Sequence, residues 1–328
     1  MANIHLTLAV GDYEHTRDLA SGDVRAEGID LTVLRTPIEE LLLRYVRHSE
    51  WQVSEMGIGP FASLLSRGHK DMVGIPVFTS RVFRHASLYL RTDAGIQSPA
   101  DLAGKRIGVP EWAMTAVICV RALLQHAYGV DLRSIKWFQA GVNEAGRVDK
   151  MALKLPRFSL TPTPTRSLSE MLLAGDLDAV ISARAPQPYL EGHQGIKRAW
   201  TDVFGEEVAY FDATGVFPIM HLIVLRRDAY EENRWIAVNL AKAFEEAKRR
   251  ALHRIKDSAA SHFPIPWLSH HVALAQAHMG ADFWPYGIEP NRNTLEAFCQ
   301  WSYEQDVCER RLAVEELFAP EVLTIARI

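Results

Sequence analysis

"GKRIGVPEWAMTAVICVRALLQHAYGV", residues 104–130, reads as a short apolar strand from Arg106 to Val109, a turn at Pro110, and a long helix that stops near Gly129. The same plan stands earlier in the chain. "IHLTLAVGDYEHTRDLA", residues 4–20, is an apolar strand, a Gly-Asp turn, and a helix start with Thr16 in the N-cap position. A second unit is doubled as well. "PIEELLLRYVRHSEWQVSEMGIGPFASLL", residues 37–65, is a helix, a short strand over residues 52–58, a turn and another helix. "SLSEMLLAGDLDAVISARAPQPYL", residues 167–190, is a helix, the break at Gly175, a strand over residues 179–182 and a turn. Ser167 and Glu170 have capping-box spacing. Strands alternating with helices of ten or more residues imply parallel βαβ units, so the chain is α/β and has two lobes of like design.

Two apolar stretches connect the lobes. "IPVFTSRVFRHASLYL" (residues 75–90) lies between the copies and reads as one crossover strand. "GVFPIMHLIVLRRD" (residues 215–228) reads as the return. One lobe is then expected over residues 1–90 and 215–328, and the other over residues 91–214. "LTPTPTRS" (residues 160–167) reads as a loop, because alternating prolines disfavour helix. Beyond residue 228 the pattern is mostly helical, broken by the Pro/Gly-punctuated "FWPYGIEPNR" (residues 283–292).

Composition excludes several classes. The chain is 48% apolar and 23% charged with a net charge of −4, which argues against nucleic acid as the main partner. No run of about 20 apolar residues is present, so no membrane span is expected. The N-terminal residues lack a basic, then apolar, leader pattern, which points to the cytoplasm. Cys119, Cys299 and Cys308 have no CxxC spacing and read as small buried residues. The 13 histidines show no HExxH or clustered Cys/His spacing. No metal is expected. A Gly-rich phosphate loop and a GxSxG elbow are also missing.

The candidate site follows from topology. Ligands in such sheets bind outside the carboxyl ends of strands. Those ends carry Asp12 and Tyr13, Glu55, Glu111 and Thr115, and Ser182 with Arg184. In the first crossover Arg81, Arg84 and His85 interrupt an apolar run; strand parity would put Arg81 and His85 on one face and Arg84 on the other. Arginine forks suit planar anions, so arginines converging on a cleft predict a ligand with more than one carboxylate. His221 is a lone histidine on the apolar return strand. The plainer readings are a first-turn Glu111, a core His221, and helix-capping Asp12 and Tyr13.

At these residues the sequence resembles the 4,5-dihydroxyphthalate decarboxylases, relatives of two-lobed periplasmic solute-binding proteins. The resemblance runs through "GDYEHT", "EGIDL", "SEMGIG", "IPVFTSRVFRH", "GKRIGVPEWAMTA", "SARAP", "PYGIEPNRNTLEAF" and "LAVEELFAPE". It implies a periplasmic-binding-protein-like (type II) fold with the ligand cleft between lobes. It implies loss of one carboxylate from 4,5-dihydroxyphthalate, giving 3,4-dihydroxybenzoate and carbon dioxide, with no cofactor. Under it Arg81, Arg84 and Arg184 would hold the carboxylates, and His85 or His221 would be the general acid. Glu111, with Asp12 or Glu55 as substitutes, would meet the catechol hydroxyls, and Tyr13, Thr115 and Ser182 would line the site. The rival expectation is a non-catalytic receptor for an aromatic or heterocyclic acid; a third is a pyrimidine or cofactor biosynthetic enzyme on the same scaffold. A homo-oligomer is compatible with all three, and the sequence does not fix the state.

Overall fold

Among the residues described in this computed structural model, 3–147 and 149–323, eleven strands form two sheets. The strands are β1 (Ile4–Val10), β2 (Ile29–Arg35), β3 (Val53–Gly57), β4 (Met72–Arg81), β5 (Leu88–Arg91), β6 (Arg106–Val109), β7 (Lys136–Gln139), β8 (Leu160–Pro162), β9 (Ala179–Ile181), β10 (Ile196–Arg198) and β11 (Ile219–Arg226). The first sheet has the order β2-β1-β3-β11-β4 and the second β10-β5-β9-β6-β7-β8. β1 runs parallel to β2 and β3, and β6 runs parallel to β7 and β9. Antiparallel β11 enters the first sheet between β3 and β4, and antiparallel β5 enters the second beside β9. Every residue of β3 is buried, as expected for a strand covered on both faces.

The first sheet takes residues 4–81 and 219–226, and the second takes residues 88–198. The chain therefore passes between them twice, at β4–β5 and through the helix Val203–Thr214. The boundary expected at residue 90 cuts β5, which belongs wholly to the second sheet because it pairs with β9 and β10. Residues 1–2 and 324–328 of the expected division lie outside the described residues. The crossover is also not one strand. β4 ends at Arg81, one further bond from the Val82 N–H to Pro218 O at 3.2 Å extends its pairing with the β11 end, and a 3-10 turn over His85–Ser87 precedes β5. Strand parity therefore fails for Arg81 and His85. The "LTPTPTRS" loop contains β8, whose Pro162 is tolerated at a sheet edge.

Local signals elsewhere hold. Ser167 and Glu170 form the reciprocal capping box, and Gly129 ends the helix Thr115–Tyr128 at φ 66°. That helix buries ten residues and meets the N-terminus of the helix Ile58–Ser66, which follows β3. The contact is close: a Cβ on Gly59 would lie 2.4 Å from Ala113 O, and the Gly59 N–H donates to Thr115 Oγ1 at 3.1 Å. A second tie comes from the end of the helix Arg292–Glu304. Gln305 O accepts from Trp112 Nε1 at 2.6 Å, and Gln305 Oε1 accepts from Arg121 Nε at 2.7 Å. The Arg121 guanidinium, fully buried, stacks 3.7 Å from the Trp112 ring centroid.

Gly59→Ala is expected to destabilise the fold by about 1–3 kcal/mol, because neither backbone at this contact has room to move. A lower urea midpoint with unchanged slope is the check; an unchanged midpoint would mean that the two helices are free to separate.

Candidate active site

Between the sheets lies a cavity of about 330 Å³, within the size range of small-ligand pockets. All four expected strand ends reach it, through Tyr13 after β1, Gly57 at the end of β3, Glu111 after β6, and Ala183 and Arg184 after β9. His221 and Arg84 enter from the two crossover segments. The Thr115–Tyr128 helix directs its first turn at the cavity, with no side chain capping it. Such an N-terminus favours an anion.

Glu55, in the middle of β3, has no exposed surface and does not line the cavity, so it reaches a ligand only through Tyr13 and His221, not directly as expected. Its Oε1 accepts from the Tyr13 hydroxyl at 2.7 Å and contacts His221 Nδ1 at 2.6 Å. Its Oε2 accepts from the Gly11 N–H at 2.8 Å. Burial alone would push this carboxyl up, but the bonds from His221, Gly11 and Tyr13 outweigh it and hold the carboxyl below its ordinary range. An ionised carboxylate only accepts, so His221 Nδ1 carries the hydrogen and Nε2 is the nitrogen left for a ligand. Strand register explains the contact. His221 stands opposite Gly57, which puts Glu55 on the adjacent diagonal of the same face. The β11–β4 ladder slips on both sides of His221. The irregular part of β4 is held from outside, by Gly287 N–H to Pro76 O and Trp284 Nε1 to Phe78 O. Bulged strands beside sites commonly re-aim a side chain.

Four cationic side chains line the cavity, in two states. Arg84 is half-buried, its Nε donates to Met220 Sδ at 3.0 Å, and it has no ion pair among the described residues. Burial pulls its guanidinium below the ordinary value, yet an arginine remains a cation at neutral pH. The others are compensated. Arg147 and Lys150 both bind Glu111 Oε1, at 2.6 and 3.2 Å. Arg184 Nε meets Glu39 Oε1 at 2.8 Å across the exposed mouth of the cleft, joining a residue that follows β9 to the helix Ile38–His48. All contacts to Glu111 fall on Oε1, so Oε2 faces no protein partner among the described residues.

Several expected site residues lie elsewhere. The Arg81 guanidinium is spent inside the protein, on Asn291 Oδ1 at 2.8 Å, Phe217 O at 2.8 Å and Pro285 O at 3.3 Å, so it does not meet a cleft ligand. His85 packs edge-on to Trp200 and Tyr210 away from the cavity, and burial lowers it to about 4, leaving it neutral near pH 7. Asp12 is exposed and paired with Arg35 at 3.1 Å. Ser182 is buried, and its Oγ accepts from the Arg184 N–H instead of facing the cavity. Thr115 lines the cavity while accepting from Gly59. Arg147, Lys150, Ser80 and Glu39 were not foreseen. The first two stand in a long β7–β8 connection with no periodic signal, and only their charge marks them.

The sequence family described as NMT1/THI5 like matches residues 26–153. Over 330 residues the chain is 36% identical to the 4,5-dihydroxyphthalate decarboxylase of Comamonas testosteroni, covering 100% of both chains. The chain belongs to the 4,5-dihydroxyphthalate decarboxylase family. A second member of that family, from Pseudomonas putida, is 37% identical over 215 residues, 65% of this chain and 83% of its own. Among solved structures, the sulfonate-binding protein SsuA from Methylobacillus flagellatus matches with a TM-score of 0.58 at 13% identity, covering 99% of this chain and 94% of its own. At that identity the likeness is one of fold. As a member of the decarboxylase family the chain is a carboxy-lyase built on the two-lobed frame of solute receptors.

Glu55 gives a pH signature. Its folded carboxyl is held below the ordinary value, so its contribution to stability is present above that value and is lost as pH falls through the folded one. Glu55→Gln should therefore make the fall in melting temperature between about pH 5 and about pH 3 shallower than in the parent. A slope as steep as the parent's would show that Glu55 is not held ionised.

Proposed function

We propose that this protein removes one carboxylate from 4,5-dihydroxyphthalate, or a close hydroxylated aromatic dicarboxylate, to give 3,4-dihydroxybenzoate and carbon dioxide without a cofactor. The observation that carries the reading is one cavity shared by Arg84, an arginine without an ion pair among the described residues, and an imidazole backed by a buried carboxylate, His221 with Glu55. Arg84 supplies a half-dehydrated cation for a ligand carboxylate. His221, with Nδ1–H fixed on Glu55, is the general acid: Nε2–H delivers a proton to the ring carbon bearing the departing carboxylate. A ring hydroxyl para to that carbon feeds electron density toward it, and Glu111 Oε2 accepts from a hydroxyl, a role supported by its lack of a protein partner among the described residues. Loss of carbon dioxide then restores the aromatic ring. Glu55 and Tyr13 act as positioning residues. The two sheets close over the ligand and fix the near-attack geometry.

Incubation with 4,5-dihydroxyphthalate should yield 3,4-dihydroxybenzoate over many enzyme equivalents, read by chromatography. Stoichiometric binding without product would instead favour a solute receptor, the reading that the SsuA-like fold suggests. His221→Asn is expected to lower kcat by roughly 10²–10⁴-fold. His85→Asn should leave kcat near the parent's, and the reverse outcome would move the acid to His85. Arg84→Ala should weaken binding of dicarboxylates by about 10–100-fold, the loss expected for a charged hydrogen bond.

A further inference from the structure

The cavity lining has two unlike parts. The crossovers contribute Arg84, His221 and Ser80. Toward the mouth the cavity is walled by the helix Ile38–His48, which pairs with Arg184 through Glu39. Two rows run along that helix. Leu41 and Tyr45, four residues apart, are fully buried in the core. Ile38, Leu42 and Val46, also four apart, are half-buried and line the cavity. The helix does carry cations, but they stay on its outer side: Arg44 is engaged with Glu40 and Glu50. The only charged residue it presents to the cavity is an anion, Glu39.

We propose that this polarity sorts the two carboxylates of the ligand: Arg84 anchors the one that is retained, and the stripe Ile38, Leu42 and Val46 faces the one that departs. The inference rests on the decarboxylase reading above. In the step, the doubly protonated His221 ring gives its Nε2 proton to the ring carbon: the N–H pair stays on Nε2, and a ring π pair forms the C–H bond. The bond from that carbon to the carboxylate then breaks. Its electron pair returns to the ring, and the carboxylate leaves as neutral carbon dioxide. Charge on the departing group therefore vanishes along the reaction, whereas charge on the retained group persists. A cation beside the departing carboxylate would stabilise the ground state more than the transition state and raise the barrier. An apolar wall gives no such stabilisation and accepts the neutral product. A cation beside the retained carboxylate binds both states alike, so Arg84 serves affinity and the stripe serves turnover.

Leu42→Lys puts a cation on the stripe and tests the assignment. The expected result is a kcat lowered by about 10-fold or more together with tighter binding of 4,5-dihydroxyphthalate. Phthalate, an unreactive dianion, should also bind more tightly by calorimetry, while benzoate, held by Arg84 alone, should bind as in the parent. Val46→Lys, one turn along the same stripe, is measured in parallel and carries the same expectations. A kcat that is unchanged or raised in both variants, or benzoate gaining as much affinity as phthalate, overturns the proposal. If the parent protein turns over no 4,5-dihydroxyphthalate, the decarboxylase reading fails on its own. The phthalate-against-benzoate comparison still decides where the second carboxylate sits.

Discussion

A carboxylate with no access to water must find donors or lose its charge. Glu55 finds three, and they come from separate parts of the chain: the backbone just past β1, the Tyr13 side chain beyond it, and His221 on β11. That requirement couples strand order to chemistry. β11 must lie beside β3 for His221 to reach Glu55, and β1 must flank β3 on its other side for Gly11 to do so. β11 arrives there only after the chain has built the whole second sheet and come back. The insertion of one lobe into the other and the assembly of the His221–Glu55 pair are thus one event.

The doubled strand–turn–helix plan made the two lobes and the four strand ends legible, because periodicity and turn chemistry are local properties. Charge in the crossover was legible only as a list. Arg81 and Arg84 are three residues apart and look alike, yet one is consumed by Asn291 and backbone carbonyls while the other opens on the cavity. What separates them is the end of β4 at Arg81, beyond which the chain turns away from its antiparallel partner β11. His85 and His221 differ in the same manner: aromatic neighbours over 100 residues away surround one, and a register slip aims the other. Arg147 and Lys150 gave no signal, since a long irregular connection fixes its side chains through contacts that only the folded chain supplies.

The cavity is not uniformly basic. Among the described residues, three of its four cations are matched by Glu111 or Glu39, and the fourth is held by a thioether. A sulfur acceptor orients a guanidinium without cancelling its charge. The result is a single attraction within an otherwise balanced and partly apolar space. Such a space orients a ligand with unequal ends more firmly than a field of open charges would.

The Glu39–Arg184 pair at the mouth has a bearing on what the protein ignores. Cytosol and culture medium alike are full of chloride, phosphate and sulfate, and a bare arginine at an entrance would collect them. Here the protein supplies the resident counter-ion itself, on a helix of the facing lobe. A visiting anion gains little at the doorway, because the place beside Arg184 is already filled by a tethered carboxylate. At the doorway the counter-charge of Arg184 is thus built into the protein, while Leu42 and Val46 offer the cavity an uncharged face.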